Sequence, residues 1–301
     1  MTATSEGPGA LSVTPLGGAD PPGASADPAA LARTFEAVAA NVRLAYVGRA
    51  ETVRLALCCL GAHGHLLVED LPGMGKTTLA KALACSLGLG FARVQFTADL
   101  LPADVTGAVM LDRPTGELAF RRGPVFTNVL VADELNRASP KAQSALLEAM
   151  EERQVSAEGV SHPLPRPFMV VATQNPFDAA GTFPLPHSQL DRFLVRLSVG
   201  YPDRALEEEL LDGRSARPRP DELPVVAAPG FADAFAAAIE GTHVSASVRG
   251  YVLDIVAASR THPDLAVGAS PRAALAMVQA AAAMAVAAGR EFVVPEDVKH
   301  V

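Results

Sequence analysis

The feature that most constrains this chain is a Gly-rich loop between an apolar run and a helical segment. Residues 66–68 are Leu-Leu-Val, a turn rich in Pro and Gly follows, and a helical pattern opens at Lys76 and Thr77. The backbone N–H groups of such a loop surround an anion, and the dipole of the following helix favours negative charge there. We therefore expect a phosphate-binding loop in which Lys76 contacts the β- and γ-phosphates and the Thr77 hydroxyl binds Mg²⁺. The loop residues expected to contact a nucleotide are Pro72, Gly73, Met74, Gly75, Lys76, Thr77 and Thr78.

One residue departs from the strict phosphate-loop pattern, which has Gly where this chain has Asp70. The alternative interpretation of the segment is an ordinary Gly-rich turn. Because the loop binds its anion through the backbone, it tolerates an Asp at its entry. The departure therefore leaves the phosphate-binding interpretation in place.

Apolar strand candidates alternate with helical segments along the chain, which is typical of a parallel sheet covered by helices on both faces. The helix after the loop is predicted over Lys76–Leu87, ending at Gly88, and Ser139-Pro140 is expected to open the next helix. Two segments, Gly107–Pro124 and Val155–Pro167, have the turn residues of hairpins that project from the core. The strand candidates are His65–Glu69, Arg93–Thr97, Asn128–Asp133, Phe168–Gln174 and Leu194–Val199.

The composition changes at both ends of this α/β region. Residues 1–27 are rich in Gly, Pro, Ala and Ser without apolar periodicity, and we expect a disordered tail there. Residues 28–211 carry the α/β pattern, residues 212–224 form a polar, Pro-rich linker, and residues 225–301 have helical patterns. The last of these patterns opens at Pro295 and the chain ends at Val301, so we expect a helical domain that is shortened at its C-terminus.

Composition also limits the functional classes. Hydrophobic residues make up 49% of the 301 positions, which suffices for one large or two moderate domains. No apolar stretch is long enough to span a bilayer, no secretory signal is visible, and the three cysteines lie in apolar helical contexts, as buried hydrophobes do. These features favour the cytoplasm. The net charge of −8 argues against a nucleic-acid motor, whose binding surface is normally basic.

Two adjacent carboxylates, Asp133 and Glu134, end an apolar strand candidate. Open α/β sheets bind their ligands at the carboxyl ends of their strands. We expect Asp133 to hold Mg²⁺ through water and Glu134 to polarise the water that attacks the γ-phosphate. Asn175 ends the next strand candidate and can orient that water, although Asn-Pro is also a common turn dipeptide. The alternative for the two acids is a strand that simply ends at polar residues.

Two arginines are candidates for contact with the γ-phosphate. Arg192 precedes the last strand candidate, from which an arginine can reach a nucleotide on a neighbouring subunit, and such a finger accelerates phosphoryl transfer by roughly 10³–10⁵. Arg272 stands in the first turn of an Ala-rich helix, where the helix dipole disfavours a cation. We expect it to contact the γ-phosphate of its own subunit. The alternatives are a surface ion pair for Arg192 and a solvated side chain for Arg272.

The chain resembles the MoxR-type AAA+ ATPases over roughly residues 40–300. The resemblance lies in the phosphate loop and in further segments that follow one another in the order of that family. These segments are Val47-Gly48, Gln95–Pro102, Gly123–Phe126, Asp133–Lys141, Ala145–Glu151 and Ala172–Pro176.

The resemblance implies an α/β AAA+ core with a five-stranded parallel sheet in the order 5-1-4-3-2, helices on both faces, and a C-terminal helical lid. It implies ATP and Mg²⁺ as cofactors, bound between core and lid with Val47 and Gly48 among the contacts. It also implies a ring, most commonly a hexamer, in which Arg192 acts in trans. Members of the family are regarded as chaperone-like remodellers of protein partners, often acting with a protein that contains a von Willebrand factor A domain.

Other functional classes stay open on the sequence. A nucleic-acid motor of the related helicase branch would share the hydrolytic residues, but the turn of the Gly107–Pro124 insert offers Arg113 and no aromatic platform for stacking bases. A transcription activator is disfavoured because the insert lacks the Gly-Ala-Phe-Thr-Gly-Ala loop of such proteins. A nucleotide-gated scaffold without hydrolysis is disfavoured by the complete set of Lys76, Asp133, Glu134 and Asn175.

Overall fold

The computed structural model describes residues 27–70, 73–111, 113, 116–175, 181–200, 204, 208 and 217–301. The predicted tail, apart from Asp27, lies outside these residues, as do residues 212–216 of the predicted linker. The strands are β1 (Leu66–Glu69), β2 (Phe91–Gln95), β3 (Gly107–Leu111), β4 (Leu118–Arg122), β5 (Val129–Asp133), β6 (Gln154–Ala157), β7 (Val160–Pro163), β8 (Met169–Gln174) and β9 (Val195–Leu197). The helices described are α1 (Pro28–Ala45), α2 (Ala50–Gly61), α3 (Lys76–Leu87), α4 (Pro102–Thr106), α5 (Pro140–Glu152), α6 (His187–Leu190), α7 (Phe231–Gly241), α8 (Ala246–Thr261), α9 (Pro271–Ala287) and α10 (Pro295–Lys299).

Five strands form one parallel sheet in the order β2-β5-β8-β1-β9. If only these five are counted along the chain, the order read from the other edge is 5-1-4-3-2, so the order implied by the resemblance is confirmed. The strand that precedes the phosphate loop, β1, therefore lies near the centre of the sheet with β8 and β9 as its neighbours. In a parallel sheet this arrangement puts the carboxyl ends of all five strands at one edge.

Apolar side chains cover both faces of this sheet, because successive residues of a strand point to opposite sides. Leu66 and Val68 of β1 join an apolar cluster with α1, α2 and α3, whereas Leu67 joins a second cluster with α5. All three are buried. The uninterrupted apolar runs of the sequence are thus explained by strands that are buried on both faces, as expected for a parallel sheet.

The edge strand differs from its predicted range, Arg93–Thr97, by two residues at each end, because β2 pairs with β5 from Phe91 onward. The side chain of Asn128 favours this early start. Its Oδ1 accepts a hydrogen bond from Gly90 N at 3.0 Å, and its Nδ2 donates to Pro167 O at 2.8 Å. One asparagine thus ties the entries of β2, β5 and β8 together, a contact that strand periodicity does not reveal.

Both predicted hairpins are present. Strands β3 and β4 pair antiparallel, and so do β6 and β7, whose turn uses Glu158 and Gly159 at positive φ (48° and 77°). The hairpins contact each other where the Phe120 ring stacks on His162 with 4.1 Å between centroids. The tip of the first hairpin falls partly outside the described residues.

The C-terminal helices share an apolar core with the α/β region. Phe35 of α1 stacks on Phe235 of α7 with 5.5 Å between ring centroids. Gln279 of α9 donates a hydrogen bond to Ala62 O, just after α2, at 2.7 Å. Leu223, which falls in the predicted linker, is buried in the same cluster. The helical region is therefore anchored on the face of the core formed by α1 and α2.

Candidate active site

Two glycines give the phosphate loop its shape. Gly73 and Gly75 have φ of 87° and 74°, values that side-chain-bearing residues rarely adopt, and Gly75 immediately precedes α3. Loops that contain residues in this left-handed conformation can form concave nests of backbone N–H groups, which bind anions. Thr77 and Thr78 follow in the first turn of α3 and are half-buried. Pro72, also predicted to contact the nucleotide, lies outside the described residues.

Lys76 lies at the centre of the site. Its Nζ donates a hydrogen bond to the backbone carbonyl oxygen of Asp70 at 2.7 Å, across the mouth of the loop. Burial lowers the pKa of Lys76, and the carboxylates of Asp70, Asp133 and Glu134 oppose this shift. The loop lysine and the acids that end β5 are therefore close enough to interact electrostatically.

A buried tyrosine connects the segment Val47-Gly48 to the loop. A Cβ built on Gly48 would lie 2.4 Å from Cζ of Tyr46, and one built on Gly75 would lie 3.3 Å from Cε2 of the same ring. The ring is 2% exposed. Burial raises the pKa of Tyr46 to about 12, and the charge of Asp70 adds to this effect. The tyrosine thus packs between Gly48 and the phosphate loop and holds the two together.

Both oxygens of Asp133 have partners from neighbouring strands. Oδ1 accepts a hydrogen bond from the hydroxyl of Thr173 at 2.6 Å. Oδ2 accepts two from the guanidinium of Arg93, with Nη2 at 2.5 Å and Nε at 3.2 Å. These contacts fix the orientation of the carboxylate at the carboxyl edge of the sheet.

Glu134 stands on a strained backbone. Its φ and ψ are 55° and 46°, a left-handed conformation that is uncommon for a residue with a side chain and that clusters at functional sites. Its N–H donates to the Thr173 hydroxyl at 2.9 Å, and its Oε2 pairs with Nε of Arg137 at 3.0 Å. The neighbouring strand therefore holds both acids through a single threonine.

Asn175 and Asp70 emerge side by side from neighbouring strands. Glu69 pairs in register with Gln174, and Asp70 N donates to Gln174 O at 3.2 Å, so Asn175 follows directly beside the loop entry. The Asp70 carboxylate accepts a hydrogen bond from Gly200 N at 2.6 Å. The residue that breaks the strict pattern thus fastens the loop to the segment that follows β9.

The residues present suit a nucleotide phosphate and a magnesium ion. A nest of backbone N–H groups, a helix N-terminus and a half-buried lysine are the groups that bind polyphosphate. A threonine hydroxyl at position 77 and a carboxylate at position 133 are oxygen ligands of the kind that Mg²⁺ prefers. A Cβ built on Gly73 would meet no atom within 4 Å, so the outer side of the loop has room for a ligand. In the described residues no group of three or more His, Cys, Asp or Glu forms a separate metal site.

Arg192 and Arg272 lie away from this site. A cavity that they line together also contains His65 and Leu194, which precede β1 and β9 and hence mark the amino edge of the sheet. The phosphate loop follows the opposite end of β1, about 13 Å away for a strand of four residues. Contact between Arg272 and the γ-phosphate of its own subunit, expected from its place in the helix, is therefore not what this arrangement provides.

Both arginines bind the same carboxylate. Nη2 of Arg192 lies 2.9 Å from Oε2 of Glu151, and Nη2 of Arg272 lies 3.0 Å from Oε1. The ion pair that the sequence left open for Arg192 is thus present, and it includes Arg272 as well.

Several residues of the site were not singled out from the sequence. Thr173 could have been, because it is a polar residue that ends the apolar run Val170–Ala172 on a strand predicted to be buried. The pairing of Glu134 with Arg137 follows a spacing of three residues, which is a weaker signal. Nothing in the sequence pattern indicates Arg93, since its partner lies on another strand.

In the part of the chain that the structure describes, no helix is long and apolar enough to span a membrane. The model of the ATPase family associated with various cellular activities (AAA) matches residues 65–195, and that of the AAA lid domain matches residues 257–301. The first range holds the phosphate loop, the acidic pair and Arg192, and the second holds Arg272.

Curated relatives extend the match to most of the chain. The uncharacterized protein YeaC of Bacillus subtilis is 42% identical over 86% of this chain and 81% of its own length. Chaperone MoxR1 of Mycobacterium tuberculosis is 38% identical over 98% of this chain and 80% of its own. A crystal structure from Cytophaga hutchinsonii, of a protein proposed to be an ATPase, superposes with a TM-score of 0.82 at 34% identity and covers 91% of this chain and 86% of that one. The chain therefore belongs to the MoxR-type AAA+ ATPase family.

Proposed function

We propose that this protein binds ATP with Mg²⁺, hydrolyses it, and uses the reaction to remodel or assemble protein partners. The observation that carries the proposal is the arrangement at the carboxyl edge of the sheet. There Lys76 interacts with Asp133 and Glu134, and the Thr173 hydroxyl bonds to the carboxylate of the first and to the backbone N–H of the second. A structural turn needs no half-buried lysine among carboxylates, whereas phosphoryl transfer needs groups of both signs around the phosphate.

Each residue has a role that its surroundings support. Lys76 and the backbone of residues 73–75 would bind the phosphates, and Thr77 and Asp133 would hold Mg²⁺, which supplies charge neutralisation when bound. Glu134 is the group that would accept a proton from the attacking water, and the Arg137 pair orients its carboxylate. Asn175, beside the loop entry, would orient the same water.

The position of Arg192 supports a ring in which sites are shared. The arginine lies at the amino edge of the sheet, away from the phosphate loop of its own chain. From that edge it can serve only a nucleotide on another subunit. We propose a hexamer, the ring size that the resemblance implies, with Arg192 as the trans-acting arginine.

The partners are proposed to be proteins rather than nucleic acids. The hairpin β3–β4 exposes Met110, Leu111 and Leu118, each by more than half of its surface, which suits an apolar protein segment. Its aromatic residue Phe120 is stacked on His162 and so is not available to stack on bases. A chaperone-like role accords with the name of the relative Chaperone MoxR1. The resemblance implies a partner protein that contains a von Willebrand factor A domain.

Steady-state ATPase activity measured against protein concentration, with Mg²⁺ present, tests the proposal. We expect specific activity to rise with concentration, Glu134→Gln to bind ATP without turnover, and Arg192→Ala to bind ATP and lose turnover. Glu152→Gln is the control, because it removes an exposed carboxylate that lies outside the site.

Four results would contradict the proposal. Full turnover in Glu134→Gln would show that Glu134 is not the base. Full activity of a monomeric preparation would show that Arg192 does not act in trans. Tight ATP binding with negligible turnover at every concentration would favour the scaffold, and salt-sensitive binding to DNA would favour the motor.

A further inference from the structure

A cavity of about 230 Å³ lies between the core and the C-terminal helices at the amino edge of the sheet. Glu151 stands in it between two arginines and uses one carboxylate oxygen for each. Arg192 comes from the core, just before β9, and Arg272 from the first turn of α9. One carboxylate therefore joins the proposed trans-acting arginine to the helical lid.

We infer that Glu151 is an internal substitute for the phosphate of a neighbouring subunit's nucleotide. It holds Arg192 inward while no neighbour is present. When the γ-phosphate of a neighbour binds Arg192, Glu151 loses that partner and keeps Arg272, which uses its other carboxylate oxygen. This inference rests on the proposed trans role of Arg192. It adds that Glu151 competes with the neighbour's phosphate for Arg192 and that the same side chain ties the first turn of the lid helix to the core.

The location of Glu151 indicates that its contacts are not incidental. It lies in the last turn of α5, where the helix dipole disfavours a carboxylate, and the exposed Glu152 follows it. Arg272 lies in the first turn of α9, where the dipole disfavours a cation. Each charge is unfavourable at its own helix end, and each is compensated by the other across the cavity.

The binding of Arg192 is incomplete. Its Nη2 reaches Glu151, but its Nε is buried and has no hydrogen-bond partner among the described residues. A buried donor without an acceptor is unfavourable, so a side chain that turns outward gains a partner for Nε from water or phosphate oxygens. Arg192 is thus held by charge at one nitrogen and is free to leave at low cost.

The lid has a second contact with the core, which does not depend on Glu151. Gln279, two turns after Arg272 on α9, donates to Ala62 O at 2.7 Å, and the rest of the helix is buried against α1 and α2. Loss of Glu151 therefore frees the first turns of α9 and leaves its remainder anchored. The exposed Leu275 lies in the segment that would move.

Glu151→Gln tests the inference, with Glu152→Gln as a matched control in which the same chemical change is made one residue away. Two quantities are measured: ATPase activity against protein concentration, and hydrogen exchange of residues 270–279 with and without a non-hydrolysable ATP analogue. In Glu151→Gln we expect the protein concentration for half-maximal activity to fall about three- to tenfold, since two ion pairs no longer compete with assembly. We also expect residues 270–279 to exchange faster without nucleotide.

In the wild type with the analogue, the exchange of residues 270–279 should stay below the level of Glu151→Gln at protein concentrations that allow assembly, because Arg272 keeps Glu151 as its partner. Glu152→Gln should match the wild type in both measurements. Glu151→Asp keeps the charge but is one methylene shorter and cannot span both arginines, so it should resemble Glu151→Gln and serves if that variant folds poorly.

The outcomes separate the inference from the proposed function. If the wild type hydrolyses ATP cooperatively and Glu151→Gln matches Glu152→Gln in both measurements, the inference is overturned and the function stands. Loss of activity in Glu151→Gln, as in Arg192→Ala, also overturns it, because Glu151 would then support the active state. If no variant hydrolyses ATP, the proposed function fails, and the exchange of residues 270–279 in Glu151→Gln alone decides whether Glu151 ties α9 to the core.

Discussion

The hydroxyl of Thr173 donates a hydrogen bond to Oδ1 of Asp133 over 2.6 Å. The hydroxyl oxygen of Thr173 in turn accepts a hydrogen bond from the backbone N–H of Glu134 at 2.9 Å. Because Thr173 is 1% exposed, no water can replace it in either role. One buried hydroxyl on β8 therefore sets the orientation of the metal-binding candidate and the backbone of the base candidate on β5.

We expect Thr173→Val to retain ATP binding and to lower kcat about ten- to a hundredfold, because the isosteric change leaves a carboxylate oxygen and an N–H unpaired where precise placement is required. Steady-state rates and titration with a fluorescent ATP analogue measure the two effects. Thr173→Ser keeps the hydroxyl and should stay near the wild type. A valine variant with unchanged kcat would show that Thr173 is not needed for positioning.

The fold was largely predictable because its buried strands and its helix ends both leave clear patterns in the sequence. Uninterrupted apolar runs such as Val129–Ala132 fit strands buried on both faces, and Ser139-Pro140 and Gly88 mark helix ends that the structure has at those positions. The shift of β2 was not predictable, because it depends on the side chain of Asn128, which bonds to residues just before two other strands.

The site was predictable where its residues are close in sequence and not where they meet across the fold. The phosphate loop and the Asp133-Glu134 pair are local motifs. The role expected for Arg272 was inferred from its place at the start of a helix, where the dipole indicates that a cation needs a partner but not which partner it finds. In the structure that partner is Glu151, at the edge of the sheet opposite the loop.

We expect Asp70→Gly, which restores the strict phosphate-loop pattern, to destabilise the protein. The change removes the acceptor of the 2.6 Å hydrogen bond from Gly200 N and should lower the free energy of unfolding by about 1–2 kcal/mol. ATP binding should persist, because the loop binds phosphate through its backbone. Urea unfolding measures the loss, and Asp70→Asn, which keeps a side-chain oxygen, should lose less. Equal stability of Asp70→Gly and the wild type would contradict this role for the carboxylate.

We expect Gly48→Ala to weaken ATP binding about tenfold. The added methyl would lie 2.4 Å from the Tyr46 ring, which is buried and packs on Gly75, so the ring can yield only by disturbing the phosphate loop. Titration with a fluorescent ATP analogue measures the change. Gly250→Ala is the matched control, since a methyl there meets no atom within 4 Å. Unchanged affinity in Gly48→Ala would mean that this segment does not shape the nucleotide site.

His65, a buried residue that immediately precedes β1, makes the stability of the protein depend on pH. Its Nδ1 accepts a hydrogen bond from Val170 N at 3.0 Å, so its Nε2 carries the proton and donates to Met150 O at 3.1 Å. Burial, together with the charge of Arg153, lowers the pKa of His65 from 6.5 to about 3. The folded protein thus keeps a neutral ring through a range of pH in which the unfolded chain takes up a proton.

From this shift we expect the protein to lose stability as the pH falls below about 6.5. The unfolded state binds the extra proton between pH 6.5 and about 3, so the contribution of His65 is complete above pH 6.5 and declines toward the lower value. At pH 5 the loss from this residue should be about 2 kcal/mol, since each unit below 6.5 is worth about 1.4 kcal/mol. Urea unfolding at pH 8, 6.5 and 5 measures it. His65→Asn, which cannot take up a proton in this range, should be less stable at pH 8 but should show a shallower decline than the wild type. Equal slopes in the wild type and His65→Asn would show that this ring does not govern the response to acid.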